Sequence, residues 1–164
     1  MSLRSTNRGR HGFTLIEAVV AMIVLALAVP IGLSMMRDAA VARVGNAQTA
    51  KAFWLASAVT EQVMADLDST DAALGFDALA DASAYLNDAP DALRTRLASV
   101  VSDAEAAGFT WDVTAGALVD ATGVTSGDTD EDIYRVVTIS VSWTNTMGQA
   151  QNLPLSFMAA NRKP

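Results

Sequence analysis

The sequence contains no cysteine and a single histidine, His11. Thiol chemistry, disulfides and cysteine-held zinc are therefore excluded. No phosphate-binding glycine loop or dinucleotide fingerprint is present. Serine–lysine and carboxylate pairs are not excluded by composition, but no pattern singles one out as catalytic. Basic residues are scarce, 11 against 18 acidic ones, for a net charge of -7. Such a chain is poorly matched to nucleic acid or to an anionic lipid surface. Without disulfides, any exported part must be held by core packing or by another staple.

What the sequence does have is one long uncharged run. From Phe13 to Met36 there are 24 residues with a single charge, Glu17. As a helix this is roughly 36 Å long, enough to cross a bilayer core of about 30 Å. Arg4, Arg8 and Arg10 precede it with no acid among them. That bias predicts a cytoplasmic N-terminus, with the rest of the chain outside. Glu17 needs an explanation, since a carboxylate inside a spanning helix costs about 2.5–3.5 kcal/mol at the centre and less near an interface. It either snorkels to the headgroups or acquires a cationic partner. A cut between Gly12 and Phe13 would create such a partner, an ammonium four residues before Glu17.

Gly12-Phe13-Thr14-Leu15-Ile16-Glu17, with its basic leader and the apolar run from Ala18 to Met36, resembles the class III signal of type IV prepilins. The resemblance implies a membrane peptidase that cuts after Gly12 and methylates Phe13. It also implies that Glu17 meets the amine of a neighbouring subunit and sets register during filament assembly. An ordinary secretory signal would be cut beyond its apolar core, not before it. Removing residues 1–12 leaves 152 residues, and without the three leader arginines 8 basic face 18 acidic residues. The implied partners are prepilin peptidase, other pilin or pseudopilin subunits, an inner-membrane assembly platform and membrane lipid. Many pilins close a C-terminal loop with a disulfide, and this chain departs from that pattern.

The expected organisation is a leader (1–12), the spanning half of a long helix (13–36), its amphipathic half (37–67) and an extracytoplasmic α+β domain (68–164). Pro30 removes a backbone donor and Gly32 follows it, which predicts a kink or a locally extended stretch. Such a feature is either a tolerated bend or a joint used when the subunit leaves the bilayer. Beyond Asp38, Val41, Val44, Ala52, Leu55, Val59, Val63 and Leu67 recur at helical spacing, with Asp66 assigned to another face. Of the neighbours Phe53 and Trp54, one is expected in the core and the other at the rim, or against a neighbouring subunit. A short helix is expected around 76–85. A second, over 91–107, has Pro90 at its start and Gly108 as its cap, with a stripe of Leu93, Leu97, Val100, Val101 and Ala104.

From Phe109 the period becomes two. Residues 109–113 and 117–121 read as two strands, and 133–144 as the strongest strand in the chain. A turn at 145–149 leads to a last strand that Pro154 places at an edge, or in a bulge there. The fold class is α+β, a long helix on a small antiparallel sheet, similar to pilins. The finer order resembles PilV-type minor pilins and I-type pseudopilins of type II secretion. The loop carboxylates Asp128, Asp130 and Asp132 alternate in a way that can hold Ca²⁺, as some pseudopilins do in a comparable loop. Gly127 does not complete an EF-hand spacing, and the plainer reading is a solvated turn. No other cofactor is expected.

The function implied is a non-enzymatic minor pilin or pseudopilin subunit. The alternative is a monomeric, membrane-anchored extracytoplasmic binding module.

Overall fold

The computed structural model describes residues 14–69, 71, 73–88 and 91–161. Helix α1 runs without a break over Leu15–Leu67, 53 residues. The chain divides into two compact units, residues 1–43 and 44–164. In the first, α1 carries exposed apolar side chains throughout, among them Leu15, Ile16, Ile23, Leu27, Leu33 and Met36. Pro30 lies inside the helix. The locally extended stretch expected near Pro30 and Gly32 does not form.

In the second unit, α1 becomes one-sided. Ala52, Leu55, Ala56, Val59 and Val63 are completely buried. They recur at three- and four-residue intervals, which places them on one stripe. Removing a leucine- or valine-sized side chain from water is worth about 1.5–3 kcal/mol. This stripe is therefore the main anchor of α1 in the domain. Phe53 and Trp54 both lie outside it, 57% and 54% exposed. The expectation that one of them enters the core is not met. Phe53 stands two residues from Leu55, about 200° around the helix, and Trp54 about 100°.

A 3₁₀ turn at Phe76–Asp81 leads into the short helix α2, Ala82–Asn87. The side chain of Asp81 caps α2 by accepting from the Ala84 N–H at 3.0 Å. Helix α3 spans Leu93–Ala106 and buries Leu93, Leu97, Val101 and Ala104. Val100, expected on that stripe, is exposed. Pro90, expected at its start, lies outside the described residues. Gly108 ends α3 at φ +84°. The N–H of Phe109 donates to Ala104 O and that of Gly108 to Glu105 O, the paired bonds of a Schellman cap.

Three antiparallel strands follow: β1 (Thr110–Val119), β2 (Tyr134–Thr144) and β3 (Ala150–Ala160), in the order β1-β2-β3. The two strands expected at 109–113 and 117–121 are one strand with a register shift between Ala115 and Leu118. Gly116 sits in the shift, and its carbonyl accepts from Arg135 Nη1 at 2.7 Å. Register aligns Val113, Ile139 and Leu155 across the sheet. The face they define, with Val137, Val141 and Trp111, packs into the core with the α1 stripe. Phe109 stacks on Trp143, and Lys51 Nζ lies 5.5 Å from the Phe109 ring centre.

Candidate functional site

Gly12 and Phe13 lie outside the described residues, so the structure begins at Thr14, on the far side of the expected cut. Thr14 and Glu17 have the spacing of a capping box, Thr-x-x-Glu. Thr14 Oγ1 accepts from the Glu17 N–H at 3.3 Å, and the Thr14 N–H approaches Glu17 Oε2 at 3.5 Å. Both contacts are long. They nonetheless satisfy helix-start amides that have no partner within the helix. The Thr-x-x-Glu spacing, three residues apart, already carries this part for Thr14. The Glu17 carboxylate is thus turned toward the start of its own helix and is exposed there.

Behind Glu17, α1 is long and apolar enough to cross a membrane, and none of its most apolar stretch is buried. Every large apolar residue from Leu15 to Met36 presents itself outward. A soluble helix would pay for that exposure, so this surface suits lipid or other helices.

Residues 7–29 match the family model described as the prokaryotic N-terminal methylation motif. The chain carries a class III prepilin signal. This is the signal of type IV pilins and pseudopilins, a structural rather than enzymatic group. The match covers the second half of the leader and most of the apolar run and stops before Pro30. No curated protein and no solved structure matches the chain.

The candidate calcium carboxylates are not brought together. Among the described residues, no group of three or more His, Cys, Asp or Glu side chains is placed to hold a metal ion. Asp132 accepts the Ser126 and Gly127 N–H groups at 2.9 and 3.0 Å, one on each oxygen. Asp128 accepts the Asp130 N–H at 2.9 Å. Asp120 likewise accepts from Thr122 and Val124. These carboxylates fold their own loop. The backbone amides of Ser126 and then Gly127 hold the Asp132 carboxyl below its ordinary value, despite the opposing effects of burial and of Asp120.

A second cluster was not read from the sequence. Asp66, in the last turn of α1, is 5% exposed. It accepts from Arg96 Nη1 on Oδ1 at 2.7 Å and from Arg96 Nη2 on Oδ2 at 2.5 Å. Tyr85 donates its hydroxyl to Oδ2, and Gln62 Nε2 donates to Oδ1 at 3.0 Å. Burial pushes the Asp66 carboxyl up. The bonds from Arg96, Tyr85 and Gln62 and the Arg96 charge outweigh burial and hold it low. Burial, and next the bond to Asp66, push the Tyr85 hydroxyl well above its ordinary range. The signal was available, since Asp66 stands seven residues after Val59 and three after Val63, on the buried stripe. Every member of the cluster is occupied by another, so it fastens α1, α2 and α3 together.

Proposed function

We propose that this chain is a minor pilin or pseudopilin subunit of a type IV pilus or type II secretion filament. One observation carries the reading: the methylation motif at residues 7–29 runs into an unbroken helix whose first part is apolar and exposed all round. A surface of that kind needs lipid before assembly and other helices after it.

In this reading prepilin peptidase cuts between Gly12 and Phe13 and methylates Phe13. The subunit waits in the inner membrane with its N-terminus cytoplasmic and its α+β domain outside. An assembly platform then moves it into a filament built from packed N-terminal helices. Glu17 exchanges its long contact with Thr14 for the Phe13 amine of a neighbouring subunit, which sets axial register. Pro30 and Gly32 form a joint that lets the helix loosen on leaving the bilayer.

Intact-mass and N-terminal analysis of the isolated protein tests the reading directly. A chain beginning at N-methylated Phe13 is expected. A chain still beginning at Met1 overturns it. Glu17→Ala should be processed normally but fail to enter filaments. If it incorporates normally, or if the chain acts alone without filament partners, a monomeric anchored binding module is the better description.

A further inference from the structure

The two edges of the sheet are finished differently. At the β1 edge, Arg94 Nη2 donates to the outward carbonyl of Trp111 at 3.0 Å, and its guanidinium lies 4.7 Å from the Trp111 ring centre. Asp112 adds a charge, the strand carries a register shift, and the 3₁₀ turn and α2 pack beside it. Charge, irregularity and cover are the usual protections of an edge.

The β3 edge has almost none of them. Its eleven residues, Ala150–Ala160, contain no charged side chain. The N–H of Asn161 donates to Ile133 O. Antiparallel alternation then turns the odd-numbered residues of β3 toward β2 and the even-numbered ones outward. Asn152, Ser156, Met158 and Ala160 therefore present N–H and C=O groups to the open side. Pro154, without an N–H, interrupts this row once. Among the described residues no strand lies beyond β3.

The core is open on the same side. Val137, Ile139 and Val141 of β2 are completely buried, whereas their β3 partners Phe157, Leu155 and Leu153 are only half-buried. A cleft of about 270 Å³ runs between α1 and the end of β3, lined by Met64, Leu67, Asp68, Phe157, Met158 and Ala160.

We propose that the free edge of β3 is a docking site for an extended, uncharged segment of a partner polypeptide. The segment adds as a fourth strand and places alternate apolar side chains in the cleft beside Met64. The row of backbone groups specifies this occupant. Outward N–H and C=O groups recurring every second residue, about 6.6–6.8 Å apart, are matched by another extended backbone and not by a helix or a lipid chain. The absence of charge along β3 selects a neutral partner. On the outer face, the hydroxyl pair Thr138 and Ser156, 2.8 Å apart, favours small polar residues at the intervening positions.

The test uses the full chain, ¹⁵N-labelled in detergent micelles, and a capped, uncharged probe peptide, Ser-Thr-Val-Thr-Val-Thr-Val-Ser. Saturable shifts and about tenfold slower amide exchange at Ser156, Met158 and Ala160 are expected, with β1 amides unchanged. Ser156→Pro should weaken binding about tenfold, since it removes an outward N–H and leaves the backbone bonds to β2, at the loss of the Thr138 hydroxyl contact. Should that variant melt early, Met64→Glu, which puts a second carboxylate in the cleft one helical turn from Asp68, should weaken binding likewise. The proposal is overturned if these amides show no saturable change up to about 1 mM peptide. It is equally overturned if the peptide perturbs only Leu15–Met36, or if neither variant alters binding. Concentration-dependent protection of the same amides without peptide would make a second copy the occupant and end the proposal of a separate partner.

Discussion

Arg96 on α3 grips both oxygens of Asp66 at the end of α1, thirty residues earlier, with one guanidinium nitrogen on each. The pair is fork-on-fork, and Tyr85 and Gln62 occupy the remaining acceptor positions of the carboxylate. A buried ion pair is justified energetically only when its geometry and its secondary bonds are this complete.

Asp66→Ala should therefore be severe. It leaves the half-buried Arg96 with its bond to the Asp91 carbonyl but no carboxylate, and the Tyr85 hydroxyl without its acceptor. A loss of about 2–4 kcal/mol is expected from breaking one side of such a pair. Urea unfolding of the detergent-solubilised chain measures it. The double change Asp66→Leu with Arg96→Met should recover more than half of that loss, because no charge is left unpaired.

The same cluster sets a pH dependence with two limbs. Asp66 is held below its ordinary 3.8, so its contribution is complete above that value and fades as the pH falls through the lower, folded one. Tyr85 is raised above its ordinary 10.0, so its contribution is complete below pH 10 and fades as the pH climbs beyond it. Thermal melts across pH should show Asp66→Asn flattening the acid limb and Tyr85→Phe flattening the alkaline one.

Asp132→Ala should loosen the 120–132 loop without disturbing the sheet. The Ser126 and Gly127 amides lose their acceptor and should exchange with solvent faster, while amides of β2 keep their protection. Calcium should leave the melting temperature of the unaltered chain where it was, because the Asp132 oxygens already face two backbone amides.

Two glycine substitutions should act with opposite signs. Gly108 stands at φ +84°, so Gly108→Ala should cost about 1–2 kcal/mol. Gly45 lies inside α1 with open space where a Cβ would go. Gly45→Ala should gain up to about 1 kcal/mol through helix propensity. Parallel thermal melts separate them.

Periodicity made most of the fold readable. The alternation from Ile133 to Thr144 announced β2, and the spacing of Leu55, Val59 and Val63 announced the buried side of α1. Gly108 marked the end of α3. Two of the failures depend on a partner distant in sequence. Asp66 was placed by its charge and not by its spacing, because Arg96 and Tyr85 are needed to make its burial tolerable. Residues 109–121 read as two strands because the bridging contact comes from Arg135. Residue type puts one of Phe53 and Trp54 inward, although both stand off the stripe centred on Leu55 and Val59. At the candidate site, six consecutive residues and the apolar run behind them were legible. The capping role of Thr14 also lay in plain spacing and was overlooked in favour of the carboxylate.

Lys51 donates to the Asp103 carbonyl near the far end of α3, while Arg96, near the start of α3, holds Asp66. Two fastenings at separate points along a pair of rods remove both sliding and twisting between them. Tension applied along the outer half of α1 is thereby shared with α3 and handed on to the sheet. The helix cannot be drawn out like a cord from a sleeve unless both fastenings give way.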